Sequence, residues 1–365
     1  MSAVSHNVNP DKEITILVSG YGKKNTPTLG MFRGEPGKGR MEALWTMDTL
    51  FSPSYMALAG EGDRRFLYTF EKDLPGGAVL AFEVTEKGTS LLSRSASDYL
   101  GPCHISVSDR GDMVYTASYG KGTLSVFESD EDGSLEPRSP GLHAGASLHP
   151  VRQNRAHVHF AAERDGTLFA VDLGQDKVLL YQTDHAAKEV IPTEEEICFP
   201  AGSGPRHLVF DPLHKDRLYV LSELTAEIFF CRKEKGVWKI EETFDALPGI
   251  ASAPELKVPA SADPLSIGAA IRMSDDGKLL FVSCRLGFQC IVCFKVEEDG
   301  YLVFKDHVPS GGITPRDFVI TGDRLLIANQ DSDRISQILV DRERGKLHPA
   351  GVVLPFSSPT CILLW

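Results

Sequence analysis

The sequence predicts an all-β chain: a seven-bladed β-propeller, closed by pairing of N- and C-terminal strands in one blade. Three observations lead there. Apolar, β-branched and aromatic residues come in short runs separated by Gly, Asp, Asn and Pro, and no long segment carries a 3.6-residue period. A common unit recurs at intervals of roughly 50 residues, the spacing of propellers and solenoids. A final unit is split between the termini, with SPTCILLW supplying a first strand and EITILVSGYG its continuation.

The intact units follow one another along the chain. SPSYMALAGEGDRRFLYTFE begins at Ser52, GPCHISVSDRGDMVYTASYGKGTLSVFE at Gly101 and AHVHFAAERDGTLFAVDLGQDKVLLY at Ala156. GPRHLVFDPLHKDRLYVLSELTAEIFFC begins at Gly204, IGAAIRMSDDGKLLFVSCRLGFQCIVCF at Ile267 and TPRDFVITGDRLLIANQDSDRISQIL at Thr314. Each reads as a strand, a charged Asp-Gly-type turn, and a second strand ending in a polar cluster. Four strands per unit use up residues 1–365 as one propeller domain, and radial closure leaves no long sheet edge exposed. Two separate β-sandwiches explain neither the common unit nor the lack of a linker.

Composition narrows the function. With 38 Lys and Arg against 50 Asp and Glu, the formal charge is −12, which argues against nucleic acid or an anionic membrane surface as partner. No stretch approaches the roughly 18 apolar residues that span a bilayer. The opening MSAVSHNVNPDKE is polar where a signal peptide is apolar, and the seven scattered cysteines read as reduced thiols, so a cytoplasmic location is expected. Cys290 and Cys293 form a C-x-x-C, but residues three apart on a strand point to opposite faces. Nucleophile elbow, dinucleotide, P-loop and H-E-x-x-H motifs are missing, and no zinc or calcium set stands out, so neither cofactor nor metal is expected.

Within each unit, the start of the first strand and the end of the second lie side by side on one face of the ring. These positions pair Tyr55 with Glu71, His104 with Tyr119, and His157 and His159 with Asp172. They also pair Arg206 and His207 with Glu223, Arg272 with Arg285, and Arg316 with Gln330. Convergence of His, Arg and Glu on a channel mouth suits the binding of an anion and the movement of protons. Structural readings compete at single positions: His104 and His207 as loop fasteners, Arg272 as half of an ion pair, Arg206 and Glu223 as a plain pair.

The motifs GPCHISVS with ASYGKGTLSVF, RQNRAHVHF with VDLGQDKVLLY, GSGPRHLVFDP with LSELTAEI, SCRLG, and TPRDF with IANQDSD occur in order over nearly the whole chain. In these the sequence resembles the seven-bladed lactonase family, the propeller-type 6-phosphogluconolactonases, whose fold is shared with carboxy-muconate lactonising enzymes. The resemblance implies catalytic roles for His159, Arg206, Glu223 and Arg285, with His157 an alternative to His159. Tyr55, Glu71, His104, His157, Asp172, Arg272, Arg316 and Gln330 are then expected to bind substrate. The implied reaction is metal-independent hydrolysis of a small anionic sugar lactone, 6-phosphogluconolactone above all, as in the pentose phosphate pathway. Cycloisomerisation of a muconate and a non-catalytic binding propeller are the alternatives.

Overall fold

The computed structural model describes residues 13–23, 25–62, 64–72, 77–96, 101–138, 141–250 and 267–365. The N-terminal stretch whose polarity argues against a signal peptide lies almost wholly outside them. The described chain forms seven antiparallel sheets, and its only helical turns are the short 3-10 segments Pro36–Lys38 and Gln330–Ser332. Blade 1 runs outward from Pro359–Leu364 through Ile14–Gly20 and Leu29–Glu35 to Arg40–Met47, so the two ends of the chain share one sheet. The inner strands of blades 2 to 7 are Met56–Ala59, Pro102–Val107, Val158–Arg164, Pro205–Phe210, Gly268–Met273 and Pro315–Thr321. Each inner strand packs beside that of the next blade, and blade 7 meets blade 1, closing the ring.

Why these segments form stacked blades shows in their burial. The second strands Met113–Ser118, Leu279–Cys284 and Arg324–Asn329 are buried at every residue, because both faces meet a neighbouring blade. Outer strands such as Glu189–Cys198 keep an exposed, charged face. An apolar cluster fills each of the seven blade interfaces. Val18, Ile335 and Ile362 bridge blades 7 and 1, for example, while Phe169, Phe229 and Trp238 bridge blades 4 and 5. Cys290 joins the cluster shared with blade 5 and Cys293 the one shared with blade 7, as strand alternation requires. The Asp165–Gly166 turn has both residues at positive φ, the two-residue geometry that matches strand twist.

One local device decides which side chains enter the channel. In six inner strands the pairing with the second strand slips near the start, so that at least one extra residue bulges out of the ladder. The bulged residues include Cys103, His159, Arg206 and Arg316. A bulge re-aims its side chain and is common beside active sites. In blade 6 the strand starts at Gly268, whose missing Cβ would sit 2.1 Å from the Ser222 carbonyl oxygen of blade 5; only glycine allows that approach.

Candidate active site

At the end of the channel where the inner strands begin lies a pocket of about 700 Å³. Its wall carries Lys72, Arg152, Arg155, Arg285 and Arg316, with His157, His159, Tyr21, Tyr119 and Cys103, and Glu223 as its acid. An overall acidic chain thus presents a strongly cationic mouth.

Glu223 follows directly on the second strand of blade 5, Arg217–Ser222. Its amide donates to the Gly204 carbonyl at 2.8 Å, its carbonyl accepts from Ile267 and Gly268, and the Ser222 hydroxyl bonds the Ser203 carbonyl. The carboxylate is therefore held by backbone on both sides. Arg206 Nε donates to Oε2 at 2.7 Å, Arg285 approaches the same oxygen at 3.3 Å, and Arg152 donates to Oε1. Burial pushes the carboxyl up, but Arg285, Arg152 and Arg206 outweigh it and hold Glu223 well below the usual carboxylate range.

His159 Nε2 stands 3.8 Å from Glu223 Oε2, and its buried Nδ1 has no hydrogen-bond partner. Burial and then Arg206 press the imidazole well below its ordinary value, so the ring is neutral at pH 7. His157 faces a different duty: its Nδ1 meets the Tyr119 carbonyl at 2.6 Å, and the ring stacks on Tyr119 at 4.2 Å. The bulge thus sets His159, rather than His157, beside the carboxylate. Burial also pulls Arg285 down to about 9, leaving it charged at neutral pH.

Arg206 is held inward. Besides Glu223 it reaches His207 Nε2 at 2.9 Å and the Ala269 carbonyl, and it does not line the pocket. Arg152 takes a place at the wall that the sequence reading did not give it. It comes from the loop leading into blade 4, donates to the Tyr119 hydroxyl at 2.8 Å, and is positioned through Gln153, which donates to Asp176 and the Leu173 carbonyl. Asp176 also accepts from the Gly202 and Gly204 amides, tying this loop to the one that precedes blade 5. Only the family-like run RQNRAHVHF pointed toward Arg152.

The other expected positions separate. Arg316 lines the pocket and donates to Gln330 at 3.1 Å, while Gln330 itself stands behind it. Tyr55, His104 and Arg272 sit deeper, in a packed layer across the channel. His104 lies 4.5 Å from Tyr55 and 4.1 Å from Phe160, and Arg272 pairs with Asp317 at 2.8 Å. Tyr55 and Arg272 line a second pocket toward the opposite end. The expected pairing of Arg272 with Arg285 does not occur, because Arg272 stands opposite Phe281 in the ladder. Glu71 turns outward to Arg94 at 2.9 Å. Asp172 is fully buried, accepting from the amides of His157, Gly174 and Gln175 and facing His143. Among the described residues, no three His, Cys, Asp or Glu side chains group to hold a metal ion.

Residues 15–364 match the family model described as Lactonase, 7-bladed beta-propeller. The chain belongs to this lactonase family. It is 32% identical over 324 residues to the 6-phosphogluconolactonase of Bacillus subtilis (strain 168), spanning 86% of this chain and 87% of that one. A 6-phosphogluconolactonase of Formosa agariphila is 29% identical over 352 residues, 92% of this chain and 95% of that one. Among solved structures, a putative 6-phosphogluconolactonase from Bacteroides fragilis superposes with a TM-score of 0.84 at 26% identity, over 98% of this chain and 99% of the other. Shared fold alone links it to a periplasmic gluconolactonase of Pseudomonas aeruginosa, with a TM-score of 0.81 at 24% identity over 97% and 99% of the two chains. Among the described residues no helix is long and apolar enough to cross a membrane.

Proposed function

We propose that this lactonase hydrolyses a phosphorylated sugar lactone, 6-phospho-D-glucono-1,5-lactone, at the channel mouth. The observation that carries the reading is the buried Glu223, ringed by three guanidiniums and facing a neutral His159 in the wall of a cationic pocket. Glu223 and His159 are both pressed below their ordinary values, but the three guanidiniums occupy the Glu223 carboxylate, while the His159 ring is neutral and a carboxylate beside it stabilises an imidazolium. His159 is therefore assigned as the general base: it takes a proton from water as the water oxygen bonds to the lactone carbonyl carbon. Arg285 and Arg152 supply positive charge to the oxyanion that forms. Collapse breaks the bond to the ring oxygen, and the same imidazolium returns the proton to that leaving alkoxide. Arg206, out of reach of the pocket, positions Glu223. The scheme uses only side chains of this chain. The seven free thiols support a cytoplasmic setting.

The test is initial-rate lactone hydrolysis above the spontaneous background. Replacing Glu223→Gln or His159→Ala is expected to lower kcat by about 10²-fold or more. Rates within about twofold of wild type for both variants would remove the assignment, since general acid–base catalysis contributes roughly 10² to 10⁴.

A further inference from the structure

The cations of the mouth divide by how their charge is used. On the side of blades 4 to 6, Arg152, Arg206 and Arg285 converge on Glu223. On the side of blades 7, 1 and 2, Arg316 and Lys72 have no carboxylate partner among the described residues, and both stand over one ring. Lys72 Nζ lies 5.5 Å and Arg316 Cζ 5.4 Å from the centre of Tyr21. Tyr21 and Lys72 occupy equivalent places, each directly after the second strand of its blade, Ile14–Gly20 and Arg65–Glu71. All three side chains line the pocket.

The phenol registers this charge. Burial pushes Tyr21 up, yet Arg316 and Lys72 outweigh burial and bring it down to about 8. Two cations gathered on one phenol without a counter-ion are unfavourable in a partly buried site, and a bound anion completes the group.

Resting on the lactonase reading above, we propose that Tyr21, Lys72 and Arg316 form the subsite for the phosphate of the lactone, facing the Glu223 wall that works on its carbonyl. The chemistry matches. A phosphate monoester carries about −1.5 to −2 charges at pH 7 and three strong acceptor oxygens. Arg316 offers a planar fork, Lys72 a point charge, and Tyr21 an O–H donor. The subsite makes the mouth directional, anion toward blades 7, 1 and 2, ring carbonyl toward blades 4 to 6. It also assigns specificity to two residues, Tyr21 and Lys72, that lie outside the family-like catalytic set.

The experiment compares kcat/KM for 6-phosphogluconolactone and for unphosphorylated glucono-1,5-lactone in Lys72→Met, Arg316→Gln and Tyr21→Phe, with each variant's thermal melt as a check on folding. For Lys72→Met and Arg316→Gln the phosphorylated-to-unphosphorylated ratio is expected to fall by about tenfold or more, the size of a lost charged hydrogen bond. For Tyr21→Phe the fall is expected at about threefold to tenfold, the size of a neutral one. A ratio held within about twofold in both charge variants, or an equal loss on both lactones, overturns the proposal. Calorimetric titration with inorganic phosphate separates this from the parent reading. If wild type turns over neither lactone, phosphate is still expected to bind wild type and to bind Lys72→Met at least about tenfold more weakly. Equal binding to both proteins overturns the subsite.

Discussion

Two neighbouring layers cross the channel, one residue apart in sequence and different in behaviour. The upper layer takes the bulged residues Cys103, His159, Arg206 and Arg316; the lower takes the next ones, His104, Phe160, His207 and Asp317. Both layers hold His, Arg and an acid. In the upper, Glu223 draws several guanidiniums toward an open pocket. In the lower, rings pack on rings, His207 lying 5.1 Å from Phe160 and 5.8 Å from His104, and the one buried acid, Asp317, is matched by Arg272. Composition alone therefore does not make the site. Chemistry needs charge that is concentrated beside open space, whereas the lower layer balances its charge, so the second pocket it borders meets no gathered cations.

The largest effect expected from breaking this contrast is at Arg206, which joins the layers through Glu223 above and His207 below. Arg206→Met removes one counter-charge from a buried carboxylate and leaves His207 Nε2 without its donor. Loss of one partner of a buried pair costs about 3–5 kcal/mol, to be read as a lowered urea midpoint. Lactone kcat is expected to fall by about tenfold to a hundredfold as Glu223 loses its geometry. A variant with wild-type stability and rate would show that the layers are not coupled through this residue.

Asp317→Asn breaks the lower layer alone. Asp317 is 1% exposed and its partner Arg272 reaches the second pocket, so part of the freed charge is solvated. The expected cost is at the low end for a buried pair, about 3 kcal/mol, with lactone kcat of the folded protein within about threefold of wild type. A hundredfold loss of kcat at unchanged folding would put the lower layer in the catalytic machinery and erase the contrast.

The sequence carried the ring but not this division. Seven blades and the split closure were legible because the two-strand hairpin repeats and an apolar strand can be recognised without knowing which face it shows. Facing is another matter: strand side chains alternate with period 2, so a single bulged residue exchanges the two sets. Reading strand ends without the bulges put His104 and Arg272 beside His159 and Arg285. An acid at a strand end such as Asp172 looks available; the backbone amides that occupy it come from the turn at Gly174 and Gln175 and from His157 across the hairpin, contacts the sequence does not state. Arg152, Tyr21 and Lys72 enter from loops or strand exits, where no periodicity says which way a side chain points.

The smallest effect separates the layers by pH. Burial, followed by Arg272 and Arg206, lowers His104 to about 3, against about 6.5 in an unfolded chain. The folded protein then holds fewer protons here than the unfolded one between those values. The stability contributed by neutral His104 is fully present above about pH 6.5 and is lost as pH falls toward 3, at about 1.4 kcal/mol per pH unit for one proton. His159 and His207 are lowered in the same direction, so wild type should lose stability steeply below pH 6.5. His104→Phe keeps a ring between Tyr55 and Phe160 and deletes one proton from that slope. Between pH 6 and 4 its unfolding free energy should fall less steeply than that of wild type by about 1.4 kcal/mol per pH unit, whatever its stability at pH 7. Parallel curves would mean that His104 is protonated in the folded layer, and the lower layer would then be a charged site like the one above it.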